Sequence, residues 1–207
     1  MLKKFTIALF CGLLTFSIQA QNFGGGIILG LSTSQVDGDD LGGFNKAGLL
    51  VGVFANKAIS PSFSLQMEMT YIQKGSNNPK MNDADHLNYL KEDISSSYFE
   101  MPLLLQYHQS EILKIEGGLL SAYLIDGNYN DLNGKMPIYT VNPFIKYDFG
   151  LFLGIDYTFS NKLSLNTRLS NSILSIGDED YNGVNSYNSS RKGKYNSVLS
   201  FALHYNF

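Results

Sequence analysis

The stretch FSLQMEMTY, Phe63–Tyr71, decides how this chain is read. Phe63, Leu65, Met67, Met69 and Tyr71 alternate with Ser64, Gln66, Glu68 and Thr70. Successive side chains of a β-strand point to opposite faces, so a period of two puts the apolar set on one face and the polar set on the other. A helix, with its period of 3.6, would scatter both sets around its axis. The same alternation runs through NKLSLNTRLS (161–170), where Leu163, Leu165, Thr167 and Leu169 oppose Ser164, Asn166, Arg168 and Ser170. At the end of the chain, YNSVLSFALHYNF (195–207) sets Tyr195, Leu199, Phe201, Leu203, Tyr205 and Phe207 against Asn196, Ser200, His204 and Asn206.

Extending this reading along the chain predicts eight strands, roughly 23–33, 46–57, 63–74, 97–108, 112–124, 143–159, 163–174 and 195–207. Most are about ten residues or longer, which suits a tilted membrane span better than a globular sheet. The connections alternate. Short ones are expected at Ala58–Ser62, Gln109–Glu111 and Ser160–Asn161; long polar ones at about 34–45, 75–96, 125–142 and 175–194. Short turns at one end and long loops at the other are the pattern of an outer-membrane barrel.

Composition narrows the class. Charged residues make up 16% of the 207, low against about 25% in soluble domains. The net charge of −3 includes no basic excess, so no nucleic-acid partner is expected. Mean hydropathy is −0.06, and no stretch after Gln21 is long and apolar enough for a membrane helix. The first residues, MLKKFTIALFCGLLTFSIQAQ, carry Lys3 and Lys4 ahead of an apolar run to Ile18, with small Ala20 before a cut. Residues 1–20 are therefore expected to be a cleaved secretory signal peptide and 21–207 the barrel domain. Cys11 is the only cysteine and follows bulky Phe10, which argues against lipidation. The mature chain then has neither disulfides nor thiol chemistry.

Alternation does not by itself say which face looks outward. A soluble lipocalin-like barrel, apolar inside, is the rival. The polar face here is mostly Ser, Asn, Thr, Gly and Gln, whereas a soluble surface is about 25–35% charged. The apolar face is Leu-rich with Phe and Tyr near strand ends, and the chain closes on Phe207. The expected fold is thus all-β: an eight-stranded antiparallel up-and-down transmembrane β-barrel of the outer-membrane type, with outer-membrane lipid as its surroundings. A sheet in lipid must close on itself, and eight strands leave an interior just wide enough for side chains. The polar face becomes a packed lumen, whose ionisable residues are expected to be Glu68, Glu100, Lys114, Glu116, Lys146, Asp148, Asp156 and Arg168. They should pair, because a buried charge left alone is costly. Gly24, Gly26, Gly30, Gly48, Gly52, Gly118, Gly150 and Gly154 share the lumen-facing parity and are expected to relieve crowding there.

YFEMPLLLQYH (98–108) tests this reading, since Glu100 and Pro102 sit in a run of apolar residues. Phe99, Met101, Leu103, Leu105 and Tyr107 are expected to face lipid; Glu100, Leu104, Gln106 and His108 the lumen. Glu100 should pair with Lys114, Lys146 or Arg168. Pro102 cannot donate to a ladder, so it should cost one hydrogen bond or sit at a bulge.

With these pieces in place, the chain resembles the PorT-like outer-membrane barrels of Bacteroidetes, also described as the outer membrane protein beta-barrel domain. The resemblance rests on ILGLSTS, KAGLLVGVFANKAIS, FSLQMEMTYIQKG, YFEMPLLLQYH with its Glu-x-Pro-Leu-Leu, IEGGLLSAYL, FGLFLGIDYTFSNKLSLNTRLS and the closing HYNF. It implies an eight-stranded barrel from a Bacteroidetes-type source. It also implies assembly by the outer-membrane insertion machinery through the C-terminal strand ending at Phe207. The family's link to a secretion and gliding apparatus does not transfer by fold alone.

No catalytic, cofactor or metal site is expected. Glu100 and His108 are eight residues apart on one strand, about 27 Å, too far to act together. The other histidines, His86 and His204, form no lipid-facing Ser–His pair. DEDYNG (178–183) matches the start of a calcium loop, but Ser189 stands where a bidentate carboxylate is needed. FGGGIILG opens a strand and not a helix, so it is no phosphate loop. The expected role is structural or interactive, with the outer loops as the surface for a protein partner. The alternatives are a narrow channel or small-solute binder, a subunit of a protein secretion complex, and the soluble lipocalin-like barrel.

Overall fold

The computed structural model describes residues 23–37, 43–77, 93–131, 134–135, 144–177 and 193–207. The expected signal peptide, His86 and the DEDYNG stretch lie outside these residues. The strands are β1 (Phe23–Asp37), β2 (Lys46–Ser60), β3 (Phe63–Asn77), β4 (Asp93–His108), β5 (Leu113–Asp131), β6 (Gly134–Lys135), β7 (Tyr147–Ser160), β8 (Leu163–Ser172) and β9 (Tyr195–Asn206). β6 is only two residues long and pairs back on the end of β5. The other eight form one closed antiparallel wall: β1 pairs with β9, and the β4–β5 ladder joins the two halves.

Strand ends differ from the sequence reading mainly at the long-loop end. β1, β3 and β5 continue beyond their expected ends, to Asp37, Asn77 and Asp131, and β4 begins at Asp93. There the apolar alternation fades while the backbone ladder goes on pairing, because hydrogen bonds need no apolar side chain. β7 begins at Tyr147 instead of 143; Phe144 makes an isolated bridge with Gly177. β8 ends at Ser172, short of 174.

Each of the three short turns is closed by a serine. Ser60 Oγ accepts from Phe63 N–H at 3.1 Å, Ser110 Oγ from Leu113 N–H at 3.1 Å and Ser160 Oγ from Lys162 N–H at 3.4 Å. A local hydroxyl acceptor holds a tight turn where the backbone has no ladder partner. Register shifts at Ala58/Ser60 and Thr158/Ser160 set two of these serines in place.

The two faces sort as their chemistry requires. Leu29, Leu31, Met67, Leu103, Leu119, Leu151, Leu153 and Phe201 are exposed on the outside. Ser32, Gln66, Glu68, Gln106, Glu116, Asp148, Asp156 and Asn166 are buried inside. A water-soluble barrel with an apolar interior would show the reverse. At the short-turn end the outer face carries an aromatic girdle, with Phe63 against Tyr107 at 5.3 Å and Tyr157 against Phe159 at 5.2 Å. Lys57 lies 5.1 Å from the Phe23 ring and Lys162 5.9 Å from Tyr205. Aromatics with basic neighbours are at home where hydrocarbon gives way to headgroups.

Pro102 breaks the wall on one side only. The β3–β4 ladder runs to Met67↔Leu103 and resumes at Thr70↔Glu100 in the same register, leaving Glu68 and Met69 without partners in it. On the other side Pro102↔Leu120 is paired. His108 N–H donates to Ser62 O at 2.8 Å, so the even residues of β4 turn their backbone groups towards β3. Pro102 shares that parity, and its missing N–H faces Glu68. The strand is neither bulged nor shifted there; one rung is absent.

Candidate functional site in the barrel lumen

Arg168 on β8 is the centre of the lower lumen. Its Nη1 and Nη2 donate to Glu68 Oε2 and Oε1, each at 2.9 Å, across the lumen from β3. Its Nε donates to Glu116 Oε1 at 2.9 Å, on β5. A fork-shaped guanidinium suits two carboxylates better than a point-like ammonium does. Its underside rests on Phe152, 4.3 Å from the ring centre. Gln66 donates to Glu68 at 2.8 Å and Gln106 to Glu116 at 3.3 Å, which completes the acceptors.

Gly154 makes this cluster possible. It sits on β7 between the two partners, in register with Glu116 on one side and Arg168 on the other. A Cβ there would come within 2.8 Å of Glu116 Oε1. The bare backbone lets the two side chains meet over it.

The upper lumen is organised by Lys74, which the sequence reading left out. Lys74 is 2% exposed. It pairs with Glu100 on β4 and lies 3.4 Å from Asp148 Oδ2 on β7, with its Nζ 5.0 Å from the Tyr98 ring. The expected partners of Glu100 are thus corrected: Lys114, Lys146 and Arg168 do not hold it, and Lys74 does. Lys74 shares the parity of Glu68 on β3, and that parity alone would have placed it inside. Its place at the expected end of the strand hid it, because the strand runs three residues further. Lys146 is also corrected: it is exposed, just ahead of β7.

Lys114 and Asp156 meet nearer the short-turn end, 3.8 Å apart, with Lys114 partly exposed. His204 Nδ1 lies 3.5 Å from the same carboxylate, and Ser164 Oγ donates to it at 2.9 Å. His108 Nε2 is 2.9 Å from Ser64 Oγ, which also bonds Gln106 at 3.1 Å. Glu100 contacts Lys74 and His108 contacts Ser64, so these two residues serve different clusters.

Between the lower and upper clusters lies a cavity of about 20 Å³, room for one or two water molecules. Its lining includes Ile28, Leu50, Leu120, Phe152, Glu68 and Arg168. Above the Lys74 cluster the lumen turns apolar, with Val36, Ile94, Ile176 and Val198 all fully buried. Among the described residues no group of three or more His, Cys, Asp or Glu is placed to hold a metal ion.

Comparison with known proteins adds the following. A family described as "Outer membrane protein beta-barrel domain" matches residues 19–178. Among solved structures, the attachment invasion locus protein Ail of Yersinia pestis is similar in fold, with a TM-score of 0.52 at 9% identity over 90% of this chain and 99% of that one. Neisserial surface protein A aligns at a TM-score of 0.49 and 12% identity, over 89% of this chain and 97% of that one. At 9% identity the likeness to Ail speaks for the fold alone. Among curated proteins, none matches the chain.

Proposed function

The chain belongs to the outer membrane protein beta-barrel domain family and lies in the outer membrane, and from that premise we propose that it is a closed, non-enzymatic barrel with a structural or interaction role, of the PorT-like kind. One observation carries this reading. The lumen is braced from wall to wall, by Arg168 between β8, β3 and β5 and by Lys74 between β3, β4 and β7. Such bracing stiffens the wall, and among the described residues the cavity between the two clusters, about 20 Å³, has room for a water or two. Function then falls to the two ends: loops for a protein partner outside, and the strand ending at Phe207, exposed at the short-turn end, for the insertion machinery. The signal peptide over residues 1–20 and a Bacteroidetes source belong to the same proposal.

Conductance in planar lipid bilayers tests it. The purified barrel should give no current steps; regular steps would overturn the closed-lumen reading in favour of the narrow channel. The reading as a secretion-complex subunit draws on the PorT-like resemblance, and co-purification of a stoichiometric partner with the loops intact would favour it.

A further inference from the structure

The outer face at the long-loop end changes character on one arc. On β5 and β7 it carries aromatics, with Tyr123 and Tyr147 5.5 Å apart. On β8, β9 and β1 it carries a row of hydrogen-bonded polar side chains. Asn171, Ser197 and Gln35 stand directly opposite one another across these three strands, and Asp37 is the next outward residue of β1. Their parity is that of Leu169, Phe201 and Leu31, which are exposed on the lipid face. Asn171 Nδ2 donates to Ser197 Oγ at 2.6 Å, and Ser197 Oγ donates to Asp37 Oδ2 at 2.7 Å. Gln35 Nε2 donates to Asp37 Oδ1 at 2.8 Å, while Gln35 Oε1 accepts from Gly43 N–H at 3.0 Å. Ser197 is buried beneath its neighbours, whereas Asp37 and Asn171 are exposed.

This row lies directly against an apolar one. The next outward residues towards the short-turn end are Leu169, Leu199 and Thr33, again opposite one another, and Phe201 and Leu31 follow. An outward charge is costly at the middle of a membrane and nearly free at its boundary. The step from Leu169 to Asn171, and from Leu31 to Asp37, therefore marks where hydrocarbon ends on this arc. A lipid lying here would have its acyl chains on leucine and phenylalanine and its headgroup on an amide, a carboxylate and a hydroxyl. We propose that the row binds the hydroxyl-rich headgroup of a glycolipid, with Asp37 and Asn171 accepting hydrogen bonds from sugar hydroxyls. A carboxylate has about four acceptor sites and an amide oxygen two, so bonding within the row leaves it able to receive such donors. A phosphate headgroup would meet the Asp37 carboxylate, and no lysine or arginine donates within the row among the described residues. An ammonium headgroup would seek the carboxylate alone and make no use of the amides. The site is on the outer surface of the wall and stands whether or not the lumen conducts.

Native mass spectrometry of the refolded barrel in mixed micelles tests this. Monoglucosyl diacylglycerol, which is uncharged, is offered in equal amounts with phosphatidylethanolamine and phosphatidylglycerol of the same acyl chains. The barrel should retain the glycolipid in preference to both phospholipids. Asn171→Leu and Asp37→Leu should each weaken that retention by about threefold to tenfold, the worth of one lost hydrogen bond. Ser121→Leu, outward on β5, should leave it unchanged. Both positions of the row are exposed, and heat-modifiable migration confirms that each variant has refolded before lipid is added. Preference for phosphatidylethanolamine would assign the row to an ammonium, and preference for phosphatidylglycerol to a phosphate; either would overturn the proposal. Equal retention of the three lipids, or glycolipid retention unchanged in both row variants, would overturn it as well.

Discussion

Arg168 and Glu116 sit on strands that are not neighbours, and they meet over Gly154 of the strand between them. The distance of 2.9 Å depends on the absence of a side chain there. Replacing Gly154 with alanine should force Glu116 or Arg168 out of place. The expected loss is about 1–3 kcal/mol, read as a lower urea midpoint of the barrel refolded in detergent. An unchanged midpoint would mean that the two side chains do not need the gap.

Arg168→Met should be worse than removing the whole cluster. It leaves Glu68 and Glu116 buried without their cation, at a cost of about 3–5 kcal/mol. Adding Glu68→Gln and Glu116→Gln to the same variant should recover much of the loss. Equilibrium unfolding of the single and triple variants measures the difference, and a triple variant no more stable than the single would contradict this account.

Lys74 and Lys146 form a matched comparison. Lys74 braces Glu100 and Asp148 inside, whereas Lys146 is exposed. Lys74→Met should destabilise by several kcal/mol, and Lys146→Met should lie within about 0.5 kcal/mol of wild type. Equal effects would reverse the correction made to the expected lumen set.

Pro102→Ala should restore the missing rung to Glu68. A net hydrogen bond is worth about 0.5–1.5 kcal/mol, partly offset by about 0.4–1 kcal/mol from the freer unfolded chain. Hydrogen exchange reads the rung directly: the amide introduced at position 102 should be protected like that of Leu104. Exchange at the rate of an open loop would place the gap elsewhere.

Phe207→Ala should separate folding from delivery. The ring is 82% exposed, while the Phe207 N–H already bonds Gly25 O at 3.0 Å. Refolding in detergent should be unaffected, and the amount reaching the outer membrane in cells should fall. A normal cellular level would remove Phe207 from any role in insertion.

The alternation of Phe63–Tyr71 and its counterparts determined the strands without any coordinates, and the composition of the two faces, one thinly charged and one Leu-rich, determined which of them meets lipid and hence the closure. Period two is a local property of the backbone, and a lipid surrounding admits only a closed sheet. The short turns were legible for the same reason. Which lumen charges meet was not legible, and the tertiary structure decided it. Parity puts Glu100 inside, yet Lys74, Lys114 and Arg168 all satisfy the same rule. The choice among them depends on strand tilt and on heights set by register across the whole wall. The three additional residues at the end of β3 bring Lys74 to Glu100, and an absent Cβ at Gly154 brings Arg168 to Glu116. Pro102 divides in the same way: its sequence announces a broken rung, and only the parity of β4, fixed by the bond from His108 to Ser62, says that the rung lost is the one to Glu68.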